Sequence, residues 1–130
     1  MNTKLNKILA EVSAGELVDK ITILEIKKEK IKDDQKLKDV DKELVSLNET
    51  FKKFIDDAKI KDLSAELKEI NLKLWNIENG KRNAERTKIF DESFIELARN
   101  VYKTNDQRAK IKLKINQILG SNIKEVKSHY

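Results

Sequence analysis

Residues 90–120 read FDESFIELARNVYKTNDQRAKIKLKINQILG. In this stretch Phe90, Phe94, Leu97, Val101, Ile111, Ile115 and Ile118 recur at alternating steps of four and three, with Thr104 and Arg108 filling the two remaining positions. That spacing predicts one long helix packed along a single stripe, opened by Asp91 as its cap and closed by Gly120. Arg108 is the exception that matters. A guanidinium keeps its proton and is costly to bury alone, so Arg108 has to reach water, a carboxylate or an anion.

Outward from this helix, the same reading yields three more. Ser13-Ala14-Gly15-Glu16 has the form of a capping box, in which the Ser13 hydroxyl takes the Glu16 amide and the Glu16 carboxylate returns to the Ser13 amide. A helix over 14–32 follows, with Leu17, Ile21, Leu24 and Ile31 on its seam and Lys28 interrupting it. Asp34 is the expected cap of a helix over 35–58, with Leu37, Val40, Leu44, Leu47, Phe51, Phe54 and Ala58 in register. A weak break near residues 59–61 precedes a helix over 62–86, capped by Asp62 and turning near Lys88; one bent rod in place of these two helices stays open. Residues 1–12 read as an arm or short element and residues 121–130 as a tail. The fold class is therefore all-α: one domain over residues 1–130, an antiparallel up-down bundle of about four long helices with coiled-coil-like seams.

Composition agrees and removes several function classes. The chain of 130 residues has no proline, three glycines and no cysteine. Helix breakers are scarce, and thiolate metal sites and cysteine nucleophiles are excluded. The single histidine, His129, is penultimate, so triads and two-histidine metal sites lack their parts. No phosphate-cradling glycine loop occurs, and neither a metal nor a cofactor is expected. No apolar run suits a membrane span or a leader, and the chain reads as cytoplasmic. The net charge of +5 lies wholly beyond residue 102, where Lys103, Lys110 and Lys114 share a helix face. That basic patch reads first as a solvated surface; with 24 lysines to 4 arginines, nucleic acid is not the expected partner.

A polar and aromatic cluster remains. If the last two helices form a hairpin about Lys88, Glu78 lies level with Arg99, Trp75 with Tyr102 and Arg82 near Glu96. Arg108 then sits deeper, and Lys28 or Glu25 of the first helix is its expected neighbour. Either an ion network that fixes helix register or a pocket for an anionic small molecule results, the network being preferred. The candidate set is Glu25, Lys28, Trp75, Glu78, Arg99, Tyr102, Asn105, Asp106 and Arg108.

Three runs, EVSAGELVDKITILEIK at 11–27, LWNIE at 74–78 and FIELARNVYKTNDQRA at 94–109, resemble a small uncharacterised bacterial family. Its pattern is V-S-x-G-E-L-x-D-K-I-T-I-L-E-I-K, L-W-x-I-E and F-I-E-L-A-R-x-V-Y-x-T-N-D-x-R-A. The resemblance brackets residues 11–109, leaves 33–60 without a motif and takes in none of the tail. It implies no reaction, only positions: Glu16, Asp19, Lys20, Glu25, Trp75, Glu78, Arg99, Tyr102, Asn105, Asp106 and Arg108. The function read from the sequence is a non-enzymatic interaction or accessory module, with a homodimer or another protein as partner. The alternative is a binder of, or enzyme acting on, an anionic small metabolite.

Overall fold

The computed structural model describes residues 4–126, so His129 and the ends of the expected arm and tail lie outside the described residues. Four helices follow one another: α1 (Ala14–Lys30), α2 (Asp34–Phe54), α3 (Lys61–Thr87) and α4 (Glu92–Leu119). A single 3-10 turn, Asp57–Lys59, separates α2 from α3, which are two helices and not a bent rod. No strand occurs among the described residues. Helices α1 and α2 form one hairpin, α3 and α4 a second, and α1 packs against all three others to complete a four-helix bundle.

The helix ends follow local chemistry. Ser13 Oγ accepts from the Glu16 amide at 3.1 Å and Asp91 Oδ1 from the Phe94 amide at 3.3 Å, as their spacing predicts. Three expectations change. Asp33, not Asp34, caps α2, accepting from the Gln35 and Lys36 amides. Ile60 stands at the cap of α3 with no side-chain bond, so Asp62 is not its cap. The expected helix over 35–58 ends four residues early, at Phe54, and Ala58 is exposed in the 3-10 turn. At the α3–α4 turn Lys88 takes up a left-handed φ of 59°, and Gly120 does the same at 64° beyond α4.

Two apolar clusters make the core, and α1 feeds both. On one side Leu17, Ile21 and Leu24 meet Val40 and Leu44 of α2. On the other, Val18 joins Ile60, Leu67, Ile111 and Ile115. Helices of 27 and 28 residues, α3 and α4, are each about 40 Å long at roughly 1.5 Å per residue. The register of their hairpin is the expected one, since Gly80 abuts the Leu97 side chain.

Beside its apolar seam α4 carries a second stripe, Thr104-Arg108-Lys112-Asn116, at strict steps of four. It faces Gly15 and Asp19 on a small, polar stripe of α1 that continues through Thr22. The interface between α1 and α4 is consequently polar and closely approached. A Cβ on Gly15 would stand 2.5 Å from the Lys112 carbonyl oxygen. Residues 4–12 carry no helix or strand and are exposed throughout. No helix among the described residues is long and apolar enough to cross a membrane.

Candidate functional site

Asp19 lies at the centre of the α1–α4 interface with 1% of its side chain exposed. Arg108 grips it with two bonds, Nε to Oδ1 at 2.9 Å and Nη2 to Oδ2. Paired, forked geometry of this kind is the strong form of an arginine–carboxylate contact. From α3, the buried Asn71 donates through Nδ2 to Asp19 Oδ1 and to Thr22 Oγ1, both at 2.9 Å. The Thr22 hydroxyl in turn donates to the Asp19 carbonyl at 2.7 Å. One carboxylate thus ties three helices together.

Lys112, one turn along from Arg108, extends the network. Its side chain is 9% exposed and its Nζ lies 2.7 Å from carboxylate oxygens of both Glu16 and Glu125, and 3.9 Å from Asp19 Oδ2. The Glu16 carboxylate, expected to return to the Ser13 amide, turns to this lysine instead. Burial works most strongly on Lys112 and lowers its pKa, but the bonds to Glu125 and Glu16 and the field of Asp19 outweigh it and leave the pKa above the usual 10.5. The bond to Asp19 holds the Arg108 pKa above its ordinary value against burial.

The segment after α4 closes the same end of the bundle. Ser121 Oγ accepts from the Ala14 amide at 3.0 Å, Asn116 Oδ1 from the Gly15 amide at 2.6 Å, and Asn122 donates to Glu11 at 2.6 Å. With Ser13 on the Glu16 amide, the first three amides of α1 all have acceptors. Within the stretch read as a tail, Ser121, Asn122 and Glu125 bond in turn to Ala14 at the start of α1, to Glu11 just before it and to Lys112.

Arg108 also borders a cleft of about 370 Å³. Ile23 and Ile26 of α1 form one wall, while Asn71, Trp75, Glu78 and Arg82 on one face of α3 form much of the other. A concavity that joins an apolar wall, one aromatic ring and a few polar groups has the general make-up of a small-molecule site.

Residues 8–130 match the Family of unknown function (DUF6165). The chain belongs to this family. No curated protein and no solved structure matches it. The DUF6165 match continues past residue 109 to the end of the chain, so the segment after α4 is part of the family pattern, against the narrower extent read from the motifs.

Against this geometry the residues singled out in the DUF6165 chain separate. Trp75, Glu78 and Arg108 come together at the cleft. Lys28 does not face Arg108; it is exposed and pairs with Asp41 of α2 at 3.2 Å. Glu25 does not face Arg108 either. It borders a second cleft with Thr22, Phe51, Ser64 and Lys68, about 530 Å³ in volume. Arg99 pairs with Glu96 on its own helix, so neither the Glu78–Arg99 nor the Arg82–Glu96 contact forms, and Glu78 pairs with Lys81. Tyr102 is exposed, and Asn105 and Asp106 are half-buried on α4 outside the cleft lining. Lys103, Lys110 and Lys114 are exposed along α4. No group of three or more histidine or acidic side chains suited to a metal occurs among the described residues.

Sequence reasoning missed Lys112, Asn71 and Asn116, and took Asp19 only from the resemblance. A findable signal was the run of four polar residues at steps of four on α4, repeated by Gly15, Asp19 and Thr22 on α1 at helical spacing.

Proposed function

We propose that the protein is a non-enzymatic helical module that pairs with a second copy of itself through its N-terminal arm. The observation that carries this reading is the arm's apolar stripe: Leu5, Ile8, Leu9 and Val12, at steps of three, one and three, are between 52% and 88% exposed. Apolar residues at helical spacing with nothing to pack on are suited to ordering against a partner's groove. Helix α4 offers such a surface in the same chain, since Ile95, Tyr102 and Leu113 are exposed along it. A two-fold dimer in which each arm lies on the partner copy's α4 would satisfy both surfaces at once.

Internal use of the charged cluster supports the non-enzymatic part. Arg108 and Lys112 are both held by carboxylates of their own chain and fix the positions of α1 and α4. A bacterial, cytoplasmic setting completes the reading, on the resemblance and on the absence of cysteine from the sequence. Sedimentation velocity over a concentration series tests it. A monomer–dimer equilibrium is expected for the wild-type chain, shifted to monomer by Ile8→Asp with Leu9→Asp while the four-helix bundle keeps its cooperative thermal unfolding. A wild-type chain that stays monomeric, or a dimer indifferent to both substitutions, overturns it.

A further inference from the structure

The groove along α3 presents its polar groups in a defined order. Arg82 stands at one end, Glu78 and Asn79 follow, Trp75 lies one turn further, and Asn71 closes the other end with Arg108 beside it. Asn71 to Arg82 is three turns of helix, about 16 Å at roughly 1.5 Å per residue. Ile23, Ile26 and Leu74 supply the apolar lining between.

Each station has its own chemistry. Arg82 is exposed and takes part in no ion pair among the described residues, so its guanidinium is open to a phosphate or carboxylate. The Glu78 carboxylate, with its charge offset by Lys81 at 3.4 Å, can accept from hydroxyl groups. Half-buried Trp75 offers a surface on which a flat ring can stack. At the far end Asp19 and Thr22 engage Nε and Nη2 of Arg108 and the amide nitrogen of Asn71. Nη1 of Arg108 and the side-chain oxygen of Asn71 are not used in these bonds, so this end of the groove, which both residues line, has a donor and an acceptor of the kind a nucleobase edge complements.

From this order we propose that the groove is a binding site for a nucleoside monophosphate: phosphate on Arg82, ribose against Glu78 and Asn79, base on Trp75, and base edge on Asn71 and Arg108. The volume of about 370 Å³ limits the occupant. It lies near the lower end of the roughly 300–1,000 Å³ of small-molecule sites, enough for one base and one phosphate group. Asp19 acts here as a positioning residue, since its two bonds hold Arg108 in place. The proposal is independent of self-association, because neither the arm nor the exposed side of α4 borders the groove.

Trp75 is the only tryptophan, so its fluorescence reports the groove directly. The experiment titrates the full chain with the four common ribonucleoside monophosphates, and with inorganic phosphate, ribose 5-phosphate and the four nucleosides as fragments. Saturable quenching by at least one nucleotide is expected, with a Kd at or below about 1 mM and every fragment at least tenfold weaker. Arg82→Ala, an exposed change checked for intact folding by circular dichroism, should weaken that nucleotide about tenfold and leave its nucleoside unchanged, a loss of about 1.4 kcal/mol. Absence of saturable quenching by all four nucleotides overturns the proposal. So does a fragment that binds as tightly as the nucleotide, or an Arg82→Ala variant with unchanged nucleotide affinity.

Discussion

Asp19 of α1 and Arg108 of α4, 89 residues apart in the chain, meet through two N–H···O bonds in an interface where the carboxylate has almost no contact with water. The two partners are not equally dependent on each other. Arg108 keeps 28% of its side chain exposed, whereas Asp19 keeps 1%. Losing Arg108 therefore leaves the carboxylate with Asn71 and only a distant ammonium, Lys112 at 3.9 Å, while losing both partners removes that buried imbalance. Arg108→Met is expected to destabilise the fold by about 3–5 kcal/mol, and Asp19→Leu combined with Arg108→Met to regain most of that loss. Urea denaturation of the wild type, the single variants and the double variant measures it. A double variant as unstable as the sum of its parts would show that the pair is not the unit described.

Lys112 should behave differently although its ammonium is also buried. Its partners Glu16 and Glu125 are 44% and 55% exposed, so water can take up their charges once the lysine is gone. Lys112→Met is expected to cost less than Arg108→Met, about 1 kcal/mol or below. The same residue sets a pH dependence. Its pKa in the folded chain is raised above 10.5, the value approached on unfolding, so its charge contributes stability that is full below that pH and lost as pH rises through the folded value. Thermal melts across that range should fall more steeply for the wild type than for Lys112→Met. Arg108, a guanidinium whose ordinary pKa already exceeds that of a lysine and is raised further by its bond to Asp19, stays charged throughout. Parallel curves would remove Lys112 as the source of the difference.

The periodic parts of this fold were legible in the sequence, and the partner of Arg108 was not. Seams on α1, α2 and α4 read out because each helix buries an apolar stripe, although Phe54, Phe90 and Ile118 at the ends of those stripes are exposed. Helix α1 touches all three neighbours, and Leu17, Val18, Asp19, Ile21, Thr22, Leu24 and Ile26 are all buried, so the legible seam of Leu17, Ile21 and Leu24 is not its only packed face. Asp19 was hidden in that run. The sequence accordingly offers Arg108 the neighbours Lys28 or Glu25, about two turns further along α1 than Asp19, its partner in the structure. Lys112 was hidden for another reason: it stands between Lys110 and Lys114 in a lysine-rich run, and only its place one turn on from Arg108 in the polar stripe sets it apart. Trp75, Glu78 and Arg108 line one cleft because the first two share a face of α3 and the α3–α4 hairpin turning at Lys88 brings Arg108 level with that face.

Glycine substitutions separate backbone contact from side-chain contact. At Gly15 a Cβ would meet the Lys112 carbonyl oxygen at 2.5 Å and the Asn116 Oδ1 at 3.0 Å, so α1 has to move off α4. Gly15→Ala is expected to destabilise by about 1–3 kcal/mol despite the better helix propensity of alanine. At Gly80 the obstacle is the Leu97 side chain, whose Cδ1 lies 2.9 Å away and can turn aside. Gly80→Ala should be close to neutral, because alanine's helix preference of about 1 kcal/mol offsets the displaced contact. Chemical denaturation of the two variants side by side gives the comparison, and equal losses would contradict the close backbone approach at Gly15.

The start of α1 gives a graded test of the segment that follows α4. Ala14, Gly15 and Glu16 donate their amides to Ser121, Asn116 and Ser13 in turn, but only the Gly15–Asn116 bond is fully buried. Asn116→Ala leaves an enclosed N–H without an acceptor and is expected to cost about 1–3 kcal/mol. Ser13→Ala removes an ordinary helix cap, typically about 1 kcal/mol. Ser121→Ala should cost the least, because its half-buried partner can turn to water. Hydrogen exchange at residues 14–16 resolves the three effects: each variant should speed exchange at its own amide, and Asn116→Ala should speed all three by loosening α1 from α4. If Ser121→Ala produced the largest opening, the main anchor of α1 would lie in the segment after Gly120 and not in the polar stripe of α4.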